Sequence, residues 1–309
     1  MKNKTNFMTK TWVIVVGAMI CCTLWGSAFP CIKIGYHMLE IAAADTASQI
    51  LYAGYRFTLA GVLTIALGSI LQRKILLPKR SAIGKIGLLS LLQTVLQYLF
   101  FYIGLAHTTG VKASIIEAVS TFVAILVAGY LFHQETVTSR KMLGCLIGFA
   151  GVVLVNVAGS GMDFHFSPAG DGCILLSTVA YAFSSVCMKR FSQKEDPVML
   201  SGYQFILGGI VMIACGAAMG GHLKAFTVSA AALLIYMAMI SAVAYSLWGM
   251  LLKYNPVSKV TVFGFMNPVI GVILSALLLD ETEALGVSSV LALGLVCVGI
   301  YIVNAKGKD

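Results

Sequence analysis

The sequence predicts an all-α integral membrane protein with ten transmembrane helices. Three observations carry this expectation. Apolar stretches long enough to cross a bilayer recur about ten times along the 309 residues. Charged residues make up only 11% of the chain, against about 25% in a soluble domain, and the mean hydropathy is +0.92. Lys and Arg collect in every second gap between the apolar stretches. A helix needs roughly 20 apolar residues to cross the ~30 Å hydrocarbon core, and the spans use so much of the chain that no soluble domain is expected.

The first span, 12–34, follows Lys2, Lys4 and Lys10. Its apolar run is too long for a cleavable signal peptide, so a retained helix is expected. Spans two (49–71) and three (83–105) enclose Arg73, Lys74, Lys79, Arg80 and Lys85. Spans four (112–131) and five (140–158) meet at Arg140 and Lys141. Span six (169–188) opens at Ser167-Pro168 and span seven (199–219) at Asp196-Pro197. Each dipeptide suits an N-cap followed by proline in the first turn. Lys189, Arg190 and Lys194 lie between those two spans. Span eight (226–249) is followed by Lys253 and Lys259, then by spans nine (259–279) and ten (285–304) and the tail lysines 306 and 308. The opposite gaps hold only Lys112 and Lys224, together with the acids Glu40, Asp45, Asp163, Asp171, Asp280, Glu281 and Glu283.

Basic residues mark cytoplasmic loops. Both termini are therefore expected in the cytoplasm, of a multi-pass protein in the plasma (inner) membrane. The net charge of +9 is a topology signal; a nucleic-acid partner would need a basic face on a folded domain. The expected partners are a small-molecule substrate and membrane lipid, with no nucleic acid; the chain is expected to be a monomer, with a homodimer as the alternative. The eight cysteines show no metal-ligand spacing and read as small apolar packing residues, so no metal and no cofactor are expected. Pro30 and Pro268 fall within spans, where proline removes a backbone hydrogen bond and kinks the helix.

The two halves resemble each other. Trp25 to Lys33 aligns with Tyr181 to Lys189, Gly54 to Phe57 with Gly202 to Phe205, Tyr98 to Lys112 with Tyr245 to Lys259, and Gly151 to Asn156 with Gly299 to Asn304. The matches are colinear at nearly one offset, which marks an internal repeat. The repeats are 12–158 and 169–304. Each holds five spans, an odd number, so the second must enter the membrane from the other side. Inverted repeats suit alternating access to a site near the midplane, which points to a carrier.

Leu24-Trp25-Gly26-Ser27-Ala28-Phe29 in span one, Tyr55-Arg56-Phe57 in span two, Asn267-Pro268 in span nine and Leu279-Asp280-Glu281 at its end resemble the EamA family of the drug/metabolite transporter superfamily. The resemblance covers nearly the whole chain. It implies a ten-helix bundle of two inverted repeats with a central cavity, exporting small metabolites such as amino acids or related amphipathic compounds. Asp280-Glu281 departs from the family's usual Gly-Glu; with Gln134-Glu135 in the first half it reads as a helix-end feature.

A charge inside the bilayer is costly and is a functional hypothesis by default. Lys33, Arg56 and Glu117 qualify. Lys33 ends its span and is expected to snorkel. Arg56 and Glu117 sit at similar expected depth, and the second half has Gln204 and Gly264 in their places. Their joint absence suggests a neutralising Arg56–Glu117 pair, with a substrate or proton role as the alternative. Polar and aromatic residues at helical spacing then define an expected cavity wall. It comprises Trp25, Gln93, Gln97, Tyr98, Phe101, Glu117, Thr121, Tyr181, Tyr245, Trp248 and Asn267. Aromatic walls with a few fixed polar groups suit a small-molecule pocket and could hold an ammonium by cation–π attraction. Gly144-xxx-Gly148 and Gly216-xxx-Gly220 read as close helix contacts.

Other classes are disfavoured. An intramembrane enzyme would need a nucleophile and base or a metal set, and GxSxG and HExxH are absent, as is a GxxxxGK[ST] nucleotide loop. A channel or sensor would want a charged ring or a signalling domain.

Overall fold

The computed structural model describes residues 7–157, 166–278 and 287–305. Among the described residues there is no strand, and ten helices are long and apolar enough to cross a membrane. They are α1 Thr11–Met38, α2 Thr46–Gln72, α3 Arg80–Leu105, α4 Lys112–Leu131, α5 Ser139–Val157, α6 Pro168–Ser192, α7 Pro197–Ala218, α8 Val228–Tyr254, α9 Val257–Leu274 and α10 Val287–Asn304. Most run a turn or less beyond the apolar stretch that predicts them, because a helix can continue into the polar interface where hydropathy no longer marks it. Asp163, Asp280, Glu281, Glu283 and lysines 2, 4, 306 and 308 lie outside the described residues.

Local chemistry sets the starts. Ser167 Oγ accepts from the Gly170 N–H (3.1 Å) ahead of α6. Asp196 Oδ1 accepts from Val198 and Met199 (2.9 and 3.0 Å) ahead of α7. Proline follows at the first position of each, as the sequence predicts. Asp45 caps α2 through Ser48 N–H (3.0 Å), and that bond holds its carboxyl below the usual range.

Both described ends of the chain lie at one end of the bundle. Asn255 Nδ2 donates to the Met8 carbonyl (3.0 Å), and the Arg140 guanidinium donates to the carbonyls of Ile302 (3.0 Å) and Ala305. This end is termed the terminal face and the opposite end the distal face. The distal face carries three described lysines, Lys33, Lys112 and Lys224, against three acids, Glu40, Asp45 and Asp171, with Lys112 by Asp171 (3.8 Å) and Lys224 by Glu40. The unbalanced positive charge therefore belongs to the terminal face.

The helices pair most extensively as α2 with α7 and α5 with α10. Glycine allows the close approach. A methyl group added at Gly61 would stand 2.5 Å from the Gly202 carbonyl and 2.6 Å from the Ile206 amide; one at Gly54 would meet the Gly209 carbonyl at 3.0 Å. In the other pair, a methyl group added at Gly144 would stand 2.8 Å from the Gly299 carbonyl and one at Gly151 2.7 Å from the Ala292 carbonyl. Gly61→Ala is expected to destabilise by about 1–3 kcal/mol, since backbone on both sides must move. Gly84→Ala, with nothing within 4 Å of the new carbon, should leave the thermal midpoint in detergent unchanged. One glycine expectation is corrected: Gly216 packs on Leu51, whose amide an added methyl group would meet at 2.6 Å, but Gly220 lies past the end of α7 at φ +86° and makes the turn instead.

Candidate functional site

A cavity of about 160 Å³ lies inside the bundle, lined from α1, α2, α3, α4, α6, α8 and α9. It occupies mid-helix levels and the half toward the distal face. Toward the terminal face, Cys22, Trp248, Leu252, Phe263 and Phe265 are buried and close it off. Eight of the eleven expected wall residues line it: Trp25, Gln97, Tyr98, Phe101, Glu117, Tyr181, Tyr245 and Asn267. Arg56 lines it as well.

The other three point elsewhere, each for a local reason. Gln93 is buried between α3 and α7, where its Oε1 accepts from Gln204 Nε2 (3.2 Å) and neighbouring Thr94 donates to Gln204 Oε1 (2.7 Å). Residues Ser90–Leu96 form a π-helical stretch. Its i→i+5 turns swing residues four apart off the common face they share in an α-helix, so Gln97 reaches the cavity and Gln93 does not. Thr121 instead donates to the Thr261 carbonyl (3.1 Å). The helical run Gly110–Ala118 breaks at Val119 before resuming at Ser120, so Ser120 takes the wall position. Trp248 lies about one turn deeper than Tyr245, edge-on to Trp25 at 5.0 Å, and is part of the floor. The sequence reading missed several residues that also line the cavity, among them Ser177, Thr178, Met237, Ile240 and Thr261; small or apolar residues in an apolar helix carry no signal of what they face.

A chain of aromatic rings forms one side of the cavity, with Trp25, Tyr98 and Tyr245 on its wall and Phe57 and Phe205 packed behind them. Trp25 meets Tyr245 edge-on at 5.0 Å, Tyr245 meets Phe205 at 4.9 Å, Phe205 stacks on Phe57 at 5.3 Å, and Phe57 tilts against Tyr98 at 4.4 Å. The hydroxyls of Tyr98 and Tyr245, which occupy equivalent places in the two halves, hydrogen-bond to each other at 2.9 Å.

The two charges are not a pair. Among the described residues no ion pair joins Arg56 to Glu117. The Arg56 guanidinium lies instead over the rings of Phe57 (4.4 Å) and Tyr98 (5.7 Å). The reason is depth. Helix α2 starts at Thr46, earlier than its apolar run, so at 1.5 Å per residue Arg56 is ~15 Å along it. Glu117 is only ~8 Å along α4 by the same measure. Lys33 is exposed near the distal end of α1, where snorkelling is expected.

The cavity is also under-bonded. Trp25 Nε1, Arg56 Nε, Gln97 Oε1 and Asn267 Oδ1 are buried and have no protein partner. An unsatisfied buried polar atom costs about 1–3 kcal/mol. Four of them around one cavity, beside an unpaired carboxylate, form a donor and acceptor set that a polar solute could satisfy.

Comparison with known proteins places this geometry. The profile of the EamA-like transporter family matches residues 12–157 and 168–305. An uncharacterized transporter of Archaeoglobus fulgidus is 28% identical over 306 residues, covering 96% of this chain and 99% of its own. The uncharacterized inner membrane transporter YedA of Escherichia coli is 28% identical over 295 residues, covering 92% and 90%. A WAT1-related chloroplastic protein of Arabidopsis thaliana is 26% identical, covering 96% and 70%. A protein crystal structure superimposes with a TM-score of 0.77 at 16% identity, covering 94% of this chain and 96% of that one, which shows a shared fold.

Proposed function

Because this chain belongs to the EamA-like transporter family and is a multi-pass membrane transporter, we propose that it exports a small zwitterionic metabolite of the amino-acid type by alternating access at the central cavity. One observation carries the substrate class. Arg56 and Glu117 present opposite charges to one aromatic cavity without pairing with each other. A carboxylate accepts from Arg56, whose Nε is free, in a charge-assisted hydrogen bond. An ammonium is held by Glu117 and by the faces of the surrounding aromatics. A zwitterion thus neutralises both buried charges at once, which neither a simple cation nor a simple anion does.

The packing supports alternating access. Gly54 meets Gly209 while its equivalent Gly202 meets Gly61, the equivalent of Gly209; Gly144 meets Gly299 while Ala292 meets Gly151 in the same reciprocal way. Reciprocal contacts are the mark of a two-fold relation, here between halves of one chain, and the Tyr98–Tyr245 bond falls on its axis. Such halves can rock about a central site. In this reading the structure is the state closed at the terminal face, and the excess of Lys and Arg there supports a cytoplasmic position for that face.

A thermal-shift panel of neutral amino acids, nucleobases and quaternary amines on purified protein, followed by proteoliposome flux, tests the reading. Neutral amino acids should stabilise the protein and show saturable exchange. Stabilisation by quaternary amines alone, or conductance without saturation, would sink it.

A further inference from the structure

A second concavity, of about 740 Å³, lies on the terminal face between the ends of α4, α6 and α8. Its wall holds three basic side chains, Lys189, Arg190 and Lys253, with Gln193 beside them and Leu131 and Phe132 forming an apolar edge. No acid lines it. The carboxylate whose charge acts on Lys189 is Glu135, which is already engaged by Lys141 (3.0 Å) and Ser258 (2.9 and 2.6 Å).

The groove is built rather than loose. Lys189 Nζ donates to the carbonyls of Leu252 (3.2 Å) and Asn255. Gln193 Nε2 donates to the Lys253 carbonyl at 2.8 Å. Arg190 lies over the Phe132 ring at 5.6 Å and Lys253 over the Tyr254 ring at 5.7 Å. Neither Arg190 nor Lys253 forms an ion pair among the described residues. Leu131 on the groove's edge and Tyr130 next to it, at the end of α4, are 60% and 68% exposed, as suits side chains that meet hydrocarbon and the membrane interface.

We propose that this groove binds the phosphate headgroup of one anionic phospholipid, with an acyl chain lying along Leu131 and Tyr130. Charge complementarity selects an anion. The lipid-facing apolar edge selects an anion that carries a chain, and basic pockets between helix ends at the membrane surface are suited to such headgroups. The inference does not depend on the substrate of the central cavity.

Native mass spectrometry of the full chain, from micelles holding equal phosphatidylglycerol and phosphatidylcholine, tests it. The wild type should retain one phosphatidylglycerol in preference. Arg190→Gln/Lys253→Gln should weaken that retention at least ~10-fold, taking roughly five-fold per charge, and each single variant should lose part of it. Lys74→Gln/Lys79→Gln removes the same charge from the same face outside the groove and should retain the lipid. Equal loss in that control would show diffuse surface attraction and overturn the site. Equal retention of phosphatidylcholine, or displacement of the lipid by sn-glycerol 3-phosphate at matching concentration, would overturn the lipid as occupant.

Discussion

Glu117→Gln should fold with a thermal midpoint equal to or above that of the wild type and yet lose most of its flux. The carboxylate faces a membrane-buried cavity and forms no ion pair among the described residues. Removing its charge therefore takes away a desolvation cost and breaks no bond. In the proposed loaded state the same carboxylate is the partner of a zwitterion's ammonium. Losing one member of such a desolvated pair costs about 2–5 kcal/mol, or roughly 30-fold or more in apparent affinity. Proteoliposome exchange of a neutral amino acid reads the loss directly. Combining the change with Arg56→Gln and following stability without substrate should give coupling within about 0.5 kcal/mol of zero, as for sites sharing no contact. Coupling well above that would restore the paired resting state that the sequence suggests and would leave a zwitterion no free charges to meet.

The second large effect is expected at Glu135. The sequence marks this residue only as a helix-end feature, but in the structure it ties the two halves together at the terminal face. Its carboxylate, with a side chain only 5% exposed, pairs with Lys141 at 3.0 Å. It also accepts from the Ser258 N–H (2.9 Å) and hydroxyl (2.6 Å) at the start of α9. Glu135→Ala leaves a mostly buried ammonium and two donors unmatched, which typically costs about 3–5 kcal/mol. In the proposed cycle the clasp lies on the closed side of the cavity, so its loss should also favour opening there. Cys22, fully buried behind that seal, is a natural reporter. In a background lacking the other seven cysteines, Glu135→Ala should speed maleimide labelling of Cys22 and lower the thermal midpoint. Unchanged labelling and midpoint would mean that the clasp neither stabilises the bundle nor holds the face shut.

The number of helices, their approximate limits and the alternation of charge are properties of the chain alone. The bilayer demands an unbroken apolar run for each crossing, so spans are legible without knowing what any residue touches. The same holds for the N-caps at Ser167 and Asp196, whose partners lie within three residues. The polar and aromatic part of the cavity wall was largely legible too, because such side chains at mid-depth have few other places to go, while its small and apolar residues were not.

What only the tertiary structure decided is direction. An ideal 3.6-residue period puts Gln93 with Gln97 and Glu117 with Thr121. The π-helical stretch at Ser90–Leu96 and the break at Val119 undo both pairings, and neither irregularity leaves a mark in an apolar sequence. Depth was lost likewise. Polar residues at the start of α2 hid its first turn, which placed Arg56 too near the distal face and made a partner of Glu117. The Arg56 cation rests instead on Phe57, its own neighbour in sequence. A contact of that kind is set by which rings the packed helices leave beside the charge, and composition and spacing hold no record of it.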